Sequence, residues 1–330
     1  MLYRTLGSTG LKVSEIAFGC GSVGGLMTDN DRTDEHLEVI RRALERGFTH
    51  FDTAYSYGDG KSEANLGRVL GELGPEITLS TKVRLGPERP LDLKAATIDS
   101  VERSLERLRR DSVDIIQLHD HVAPADGDCP HFSLSPGDVL GPGGVVEGFE
   151  ELRERGRVRF FGFTGLGQSD SLHELVESER FHTVQVYFNL LNPTAAYSAP
   201  EGFKAQDFGL LLNKAAGRGM GTFAIRVLAR GALTPSPRTG EKEPRALSPG
   251  SGYFRDIERA RKLDWLSEEA GGPINQAAFR FALMRPEFST VLAGCANVGE
   301  VDETAACSGT SGLSDEALAR LKALWKSDFA

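Results

Sequence analysis

The sequence predicts an α/β fold, a (β/α)8 TIM barrel, from three features of its apolar patterning. Eight short runs rich in β-branched and aromatic residues recur along the 330 residues. Most of these runs are almost continuously apolar, as expected of parallel strands that are covered on both faces. A helical pattern separates each run from the next, and strands that alternate with helices in this number are typical of the barrel.

The eight predicted strands are short segments bounded by turn residues. In chain order they are EIAFGC from Glu15, FTHFDT from Phe48, ITLSTKV from Ile77, VDIIQLH from Val113, VRFFGFTG from Val158, TVQVYFN from Thr183, GTFAIRVL from Gly221 and STVLAG from Ser289. Their length and composition predict the inner layer of one closed core, which a chain of this size can bury as a single domain, 1–330.

The predicted helices are amphipathic stripes, several of which end at glycine. Leu37, Ile40 and Leu44 share one helical face, and that pattern stops at Gly47. A second stripe over 66–73 stops at Gly74. The remaining candidates cover 98–108, 149–156, 172–176, 208–216, 274–284 and 298–306.

Further segments lie outside the repeating unit. Residues 3–4 and 12–13, which flank LGSTG, predict a small hairpin that closes the barrel floor. Two long connections rich in Pro, Gly and Ser, 122–144 and 233–256, leave strand C-termini and are candidate lids, with solvated insertions as the alternative. Residues 313–325 form one more amphipathic pattern.

Composition and charge argue against several classes of protein. The chain has 38 Lys plus Arg against 47 Asp plus Glu, a net charge of -9, so a nucleic-acid partner is not expected. No apolar run approaches the roughly 18 residues needed to cross a bilayer, and we expect no membrane association and a cytoplasmic location. The four cysteines have no CxxC spacing, which indicates reduced thiols and no Cys-based zinc site.

Polar residues stand at the C-terminal ends of consecutive predicted strands. Asp52 ends the second, Lys82 the third and His119 the fourth, and Tyr57 follows Asp52 by five residues. In a barrel all four converge on one mouth. A nearby ammonium favours the phenolate form of a tyrosine, so Lys82 would activate Tyr57 as a proton donor or acceptor at a carbonyl or alcohol oxygen. The hydride for such chemistry must come from a cofactor.

The motifs that contain these residues resemble signatures of the aldo-keto reductase family. They are FDTAYSYGDGKSEANLG from Phe51, STK from Ser80 and QLH from Gln117, joined by LGSTGLKVSEIAFGCG and VQVYFNLLNP elsewhere in the chain. The resemblance covers essentially the whole sequence. It implies that Tyr57 is the general acid or base, that Asp52 and Lys82 tune it, and that His119 orients the substrate carbonyl. It also implies NAD(P)H bound in extended form across the barrel mouth.

The same resemblance predicts the cofactor contacts. Thr164-Gly165 stands where relatives commonly have Ser-Asn, so the hydroxyl is kept and the amide is missing, while Gln185 matches a carboxamide ligand. Ile225 occupies the position of a stacking aromatic residue, and Arg226 could reach the pyrophosphate. The full predicted set is Gly21, Ser22, Asp52, Thr164, Gly165, Gln185, Ile225, Arg226, Leu228, Gly294, Ala296, Asn297, Glu300 and Glu303.

The eighth loop predicts a preference for NAD(H) over NADP(H). Recognition of a 2′-phosphate requires Arg or Lys, yet 286–319 contains neither. Glu300 stands where NADP-preferring relatives often have Arg, and a carboxylate repels a phosphate but accepts from a ribose hydroxyl. The cations of the seventh loop that could offset this by folding over are Arg238, Lys242, Arg245 and Arg255.

Two other motifs admit different folds or chemistries. Residues 19–24 spell GxGxxG after a strand, as in a dinucleotide-binding fold, but GLMTDNDR separates these glycines from the next helical stripe. The glycines instead suit close approach of the first loop to the nicotinamide. His119 and His121 form the HxH of some barrel metallohydrolases, but the last three strand ends supply no further histidine.

The predicted function is therefore hydride transfer between NAD(P) and a small carbonyl or sugar substrate. TGLG and LARGAL resemble the bacterial sugar dehydrogenase branch of the family. The alternative is a cofactor-binding, redox-sensing regulatory subunit, since the potassium-channel β subunits resemble this family. The substrate, the direction of reaction and the oligomeric state stay open.

Overall fold

Two antiparallel strands, β1 (Tyr3–Thr5) and β2 (Lys12–Ser14), precede a closed barrel of parallel strands. The computed structural model describes residues 1–21, 25–86, 90–125, 128–129, 131–240, 243, 246 and 252–330. The barrel strands are β3 (Ile16–Gly19), β4 (His50–Asp52), β5 (Thr78–Val83), β6 (Val113–Leu118), β9 (Val158–Thr164), β10 (Thr183–Tyr187), β11 (Gly221–Ile225) and β12 (Thr290–Ala293). They pair in this order, and β12 returns to β3. The fold class predicted from the sequence is confirmed.

Helices surround the barrel. They are α1 (Thr33–Glu45), α2 (Lys61–Leu73), α3 (Leu93–Leu108), α4 (Pro136–Leu140), α5 (Val145–Glu154), α6 (Ser169–Glu177), α7 (Leu211–Gly217), α8 (Tyr253–Arg261), α9 (Trp265–Ala270), α10 (Ile274–Leu283), α11 (Val298–Ala305) and α12 (Asp315–Lys326). In the parts of the chain that the structure describes, none of the helices has the length and apolarity to cross a membrane.

Side chains of the barrel strands alternate between the helices outside and the barrel interior inside. On β5, Leu79 and Val83 belong to the large apolar core against the helices, while Ser80 and Lys82 are buried among polar partners in the interior. A separate small core closes the floor, as the hairpin prediction requires. Its buried members are Leu6, Leu11, Val13, Ile115 and Phe223.

The two long connections contain regular structure that the sequence did not indicate. Within 122–144 a two-residue strand, β8 (Ser133–Leu134), pairs in parallel with β7 (His121–Val122), and α4 follows it. After the seventh barrel strand, α8 and α9 come before the predicted helix α10. Most of 241–251 lies outside the described residues.

The first loop decides against the dinucleotide-binding fold. Gly19 ends β3, a short 3-10 turn covers Leu26–Thr28, and α1 begins only at Thr33. The glycines therefore do not open a helix, which a Rossmann fingerprint requires.

Candidate active site

The four residues expected to carry chemistry lie at one end of the barrel. Asp52 is the last residue of β4, Lys82 is the last but one of β5, and His119 directly follows β6. Tyr57 is in the loop after β4, half-buried beside them. Parallel strands place their C-termini at the same edge, so this grouping follows from the barrel topology.

The ammonium of Lys82 links the cluster. It donates to the carboxylate of Asp52, to the carbonyl of Thr53 at 2.8 Å and to the phenol oxygen of Tyr57 at 3.2 Å. Burial lowers the pKa of Lys82, but the negative charge of Asp52 and the contacts with Tyr57 outweigh it, and the net pKa is raised. Lys82 therefore stays charged in a site where it is 1% exposed.

Asp52 is fixed by two further donors. The hydroxyl of Ser80 donates to Oδ1 at 2.6 Å, and Nε2 of Gln185 donates to the same oxygen at 2.8 Å. Behind Ser80 lies His50, whose Nε2 is 3.1 Å from the Ser80 hydroxyl. Burial lowers the pKa of His50 to about 4, so this imidazole is neutral near pH 7.

His119 is held as a neutral imidazole. Burial, and then the positive charges of Lys82, Arg84 and Arg226, lower its pKa well below the usual value. Its Nδ1 lies 3.1 Å from the hydroxyl of Ser56. With Ser56 donating to Nδ1, the proton is on Nε2, which can then donate to a substrate oxygen. The ring meets Tyr57 edge-on, with 5.7 Å between ring centroids.

The residues expected at the nicotinamide end lie beside this cluster. Thr164 and Gln185 are direct neighbours on β9 and β10. The Thr164 hydroxyl is buried without a hydrogen-bond partner among the described residues, so it is available to the carboxamide of a nicotinamide ring. A Cβ on Gly165 would lie 2.8 Å from the carbonyl oxygen of Gln185, which explains the missing amide side chain at this position.

The backbone of the loops that follow β3 and β11 borders the same mouth. A Cβ on Gly21 would be 3.8 Å from Tyr57 Cζ, so this glycine runs past the phenol ring. Ile225 ends β11, and Arg226 and Leu228 follow it half-buried. Gly294 is exposed just after β12. The predicted contact Ser22 lies outside the described residues.

The loop after β12 differs from the expectation for Glu300. Asn297 caps α11, and the Glu300 carboxylate accepts from the backbone N–H of Ala296 at 2.8 Å and from Asn297 Nδ2 at 3.1 Å. Glu300 thus stabilises the helix start, whereas Glu303 is exposed on α11. A guanidinium also reaches this loop, because Arg32 donates to the Ala296 carbonyl at 2.9 Å.

Two of the four cations expected from the seventh loop lie within the described residues. Arg255 donates to Asp328 at 2.7 Å, and Arg238 is exposed. Lys242 and Arg245 lie outside the described residues.

Three polar residues of the site were missed from the sequence. Ser80 and Gln117 stand two positions before Lys82 and His119 on their strands, so the two-residue period of a strand could have identified them as interior residues. Both amide atoms of Gln117 are buried without a hydrogen-bond partner among the described residues. Ser56 carries no such signal.

The HxH motif is split between two environments. His119 faces Tyr57, while His121 stacks on His131 with 4.7 Å between ring centroids. Within the described ranges no group of three or more His, Cys, Asp or Glu side chains is placed to hold a metal ion.

Comparison with known proteins identifies a family across nearly the whole chain. The model of the aldo/keto reductase family matches residues 15–326. L-galactose dehydrogenase from Arabidopsis thaliana is 28% identical over 97% of this chain and 93% of its own length. L-glyceraldehyde 3-phosphate reductase from Escherichia coli O157:H7 is 25% identical over 97% and 91%. A putative voltage-gated potassium channel subunit beta from Schizosaccharomyces pombe is 26% identical over 91% and 86%.

Solved structures of similar fold include two aldo-keto reductases. The holo form from Bacillus halodurans has a TM-score of 0.72 at 22% identity and covers 98% of this chain and 96% of its own. An enzyme from Klebsiella pneumoniae in complex with NADPH has a TM-score of 0.71 at 21% identity and covers 99% and 96%.

The expected preference for NAD(H) is wrong. The similar structures from Klebsiella pneumoniae are complexes with NADPH and with NADP. The sequence argument relied on a free carboxylate at Glu300 and on the absence of Lys and Arg from 286–319, with the seventh-loop cations as the one offset. In the structure the Glu300 carboxylate accepts hydrogen bonds at the start of α11, and Arg32, which precedes α1, contacts the same loop.

Proposed function

The chain belongs to the aldo/keto reductase family, and from that premise we propose that it interconverts a carbonyl compound and an alcohol with NADP(H), using Tyr57 as general acid and base. The observation that carries this proposal is the buried ammonium of Lys82, which contacts Asp52 and the Tyr57 phenol together. Relatives named dehydrogenases and reductases support an enzyme of this kind.

Tyr57 supplies the proton in the reductive direction. Lys82 donates to the phenol oxygen, so the phenolate that forms when Tyr57 gives up its proton faces a positive charge. Asp52 keeps Lys82 protonated and in place. In the oxidative direction the same phenolate accepts the proton of the alcohol.

His119 positions the substrate. As a neutral imidazole it offers one N–H to the carbonyl oxygen, and this is the Nε2 hydrogen when Ser56 donates to Nδ1. The oxygen then lies between the Tyr57 hydroxyl and His119, where two donors polarise the carbonyl without adding a charge.

The cofactor would lie across the barrel mouth. NADP(H) supplies the hydride, which no side chain can provide. Its carboxamide would meet Thr164 and Gln185, beside Ile225. Arg32, at the loop that contains Ala296, is the cation we assign to the adenosine end.

The substrate is a small aldehyde, ketone or sugar hemiacetal. Two relatives, one named for L-galactose and one for L-glyceraldehyde 3-phosphate, support a short, polar carbonyl compound.

The test compares Tyr57→Phe with the wild type in NADPH oxidation over a panel of aldehydes, ketones and aldoses. We expect the variant to lose roughly a hundredfold to ten-thousandfold in kcat, because it lacks the transferable proton. Its Kd for NADPH, from nicotinamide fluorescence, stays within about threefold. Tyr3→Phe, in the exposed hairpin far from the mouth, is the matched control and keeps full activity.

The second candidate is a regulatory subunit, which the similarity to a putative potassium channel subunit beta favours. The same experiment separates the two functions. Tight NADPH binding without turnover of any member of the panel would support the regulatory subunit and overturn the enzyme.

A further inference from the structure

Among the described residues, Arg226 is a cation without a counterion at the barrel mouth. It directly follows β11 and is half-buried. Its guanidinium makes no hydrogen bond or ion pair with the residues that the structure describes. This burial lowers the pKa of Arg226. An arginine in such a place is normally paired, because a desolvated charge is costly.

The backbone holds Arg226 in a strained conformation. Its φ is 61°, and Ala229 and Arg230 nearby have φ of 45° and 62°, a region that residues with a Cβ rarely adopt. The amide of Asn189 donates to the Arg226 carbonyl at 3.0 Å and ties this segment to the loop after β10. Strain of this kind concentrates at ligand sites, where the surrounding structure maintains it.

The charge of Arg226 acts on the residues that perform the chemistry. The Tyr57 phenol interacts with the guanidinium, and Arg226, Lys82 and Arg84 all act on His119. Lys82 is neutralised by Asp52, and the exposed Arg84 lies near the buried Asp120 carboxylate. Of these three cations, Arg226 is therefore the one that has no carboxylate beside it among the described residues.

We propose that Arg226 binds an acidic group of the substrate, a carboxylate or a phosphate, so that the enzyme prefers anionic aldehydes and ketones to neutral ones. This inference rests on the proposed function and names the substrate class of the same site. The planar fork of a guanidinium matches the two oxygens of either acid. The substrate carbonyl lies at Tyr57 and His119, and the acid extends from it toward β11.

The pyrophosphate of the cofactor is a second anionic group that the guanidinium of Arg226 could bind. Arg226 directly follows β11, is fixed there by Asn189, and lies within electrostatic reach of both Tyr57 and His119. This placement favours the substrate, because Tyr57 and His119 surround the reacting carbonyl. The experiment measures the two sources separately.

The probes are 4-carboxybenzaldehyde and its neutral methyl ester, methyl 4-formylbenzoate, which present the same aldehyde. For the wild type we expect kcat/KM to favour the acid at least about tenfold. In Arg226→Gln the ratio of acid to ester falls by roughly 10- to 100-fold, mainly through KM, as for the loss of a charged hydrogen bond. The Kd for NADPH changes by less than about threefold. Arg110 is an exposed arginine before β6 at the opposite end of the barrel, and Arg110→Gln leaves kcat/KM for both substrates unchanged.

Three results would overturn the inference. An equal loss on acid and ester, with a rise in the Kd for NADPH of about tenfold or more, would assign Arg226 to the pyrophosphate. Turnover of the ester without any preference for the acid in the wild type would reject an anionic substrate while leaving the proposed function intact. No turnover of either aldehyde would overturn the inference, and the proposed function would be rejected with it only if the whole panel of aldehydes, ketones and aldoses is also not turned over. Turnover of the ester by Arg226→Gln shows that this variant is folded.

Discussion

The ammonium of Lys82 binds three oxygens from the segment that begins at the end of β4. They belong to the Asp52 carboxylate, the Thr53 carbonyl and the Tyr57 phenol. Because Lys82 and Asp52 are both buried, each depends on the other to offset its desolvation. At the scale of single residues, the candidate site is therefore also a place where stability and chemistry are coupled.

Removal of both charges of this pair should cost less than the sum of the two single removals. Lys82→Met leaves the Asp52 carboxylate buried with donors only from Ser80 and Gln185, and we expect it to lower the free energy of unfolding by about 3 kcal/mol. In Lys82→Met with Asp52→Asn the loss should be smaller than the sum of the single losses by at least about 1 kcal/mol. Urea unfolding of the four proteins measures this coupling, and strictly additive losses would contradict it.

His50 makes the fold sensitive to acid. Its folded pKa of about 4 lies below the value near 6.5 of an unfolded histidine, so the unfolded chain takes up the proton first. The contribution of His50 is complete above about pH 6.5 and is lost as the pH falls toward 4, by at most about 3 kcal/mol. Urea unfolding at about pH 7.5 and about pH 5 should show a smaller loss for His50→Asn than for the wild type. Equal losses would contradict a neutral, buried His50.

The sequence predicted which residues meet at the barrel mouth but not which hydrogen bonds they form. Asp52, Lys82 and His119 were identifiable because each ends a strand, and strand ends converge in a barrel. Gln185 was predicted to face the cofactor, yet its amide nitrogen donates to Asp52, a contact between residues far apart in the chain. Glu300 was assigned to a ribose, yet its carboxylate caps its own helix. Both bonds depend on side-chain orientation, which a linear pattern does not contain.

At the scale of elements, α2 packs against α3 through a glycine. A Cβ on Gly67 would lie 2.5 Å from the carbonyl oxygen of Leu108, so the two helices are closer than an alanine allows. Gly71, one turn later on α2, is exposed with nothing within 4 Å of its Cβ position.

The two glycines should respond in opposite directions to the same substitution. Gly67→Ala must push α3 away and should lower the free energy of unfolding by about 1–3 kcal/mol. Gly71→Ala meets no neighbour and should raise it by about 0.5–1 kcal/mol, because alanine restricts the unfolded chain and favours a helix. Chemical unfolding of the two variants tests whether α2 and α3 are in close contact at Gly67. Stabilisation by both substitutions would show that α2 and α3 are not in close contact at Gly67.

Elements were predictable where apolar residues dominate them. Most of the eight barrel strands are nearly continuous apolar segments, and each of the eight was found in the sequence. Helix α8 was missed because it is mostly charged, with the sequence YFRDIERAR and only a narrow buried face. The pair β7 and β8 was missed because two residues are too few to show a period.

At the scale of the whole molecule, the apolar floor and the candidate site lie at opposite ends of the barrel. The N-terminal hairpin packs on apolar residues at the floor, and the candidate site occupies the opposite end, where the loops after the strands meet. In the cofactor site that we propose, the adenosine end would combine Arg32, before α1, with the loop after β12. The sequence argument for NAD(H) considered 286–319 and the seventh loop, so it did not include Arg32.

The preference for NADPH over NADH predicts a difference in the thermal stability of the whole fold. A ligand that binds only the folded protein raises Tm in proportion to the logarithm of its concentration over its Kd. We therefore expect NADPH to raise Tm more than NADH at the same concentration. Arg32→Ala should reduce this difference, whereas Arg110→Ala, at the other end of the barrel, should not. An equal shift with both cofactors would contradict the role assigned to Arg32.

Transfer of the hydride itself is the most direct test of function. NADPH deuterated at the transferred position of the nicotinamide would be incubated with the enzyme and an aldehyde, and the alcohol analysed by mass spectrometry. We expect one deuterium on the carbinol carbon with the wild type and no labelled alcohol with Tyr57→Phe. An alcohol that forms without deuterium, or labelled alcohol formed equally well by Tyr57→Phe, would contradict hydride transfer from NADPH with Tyr57 as the proton donor.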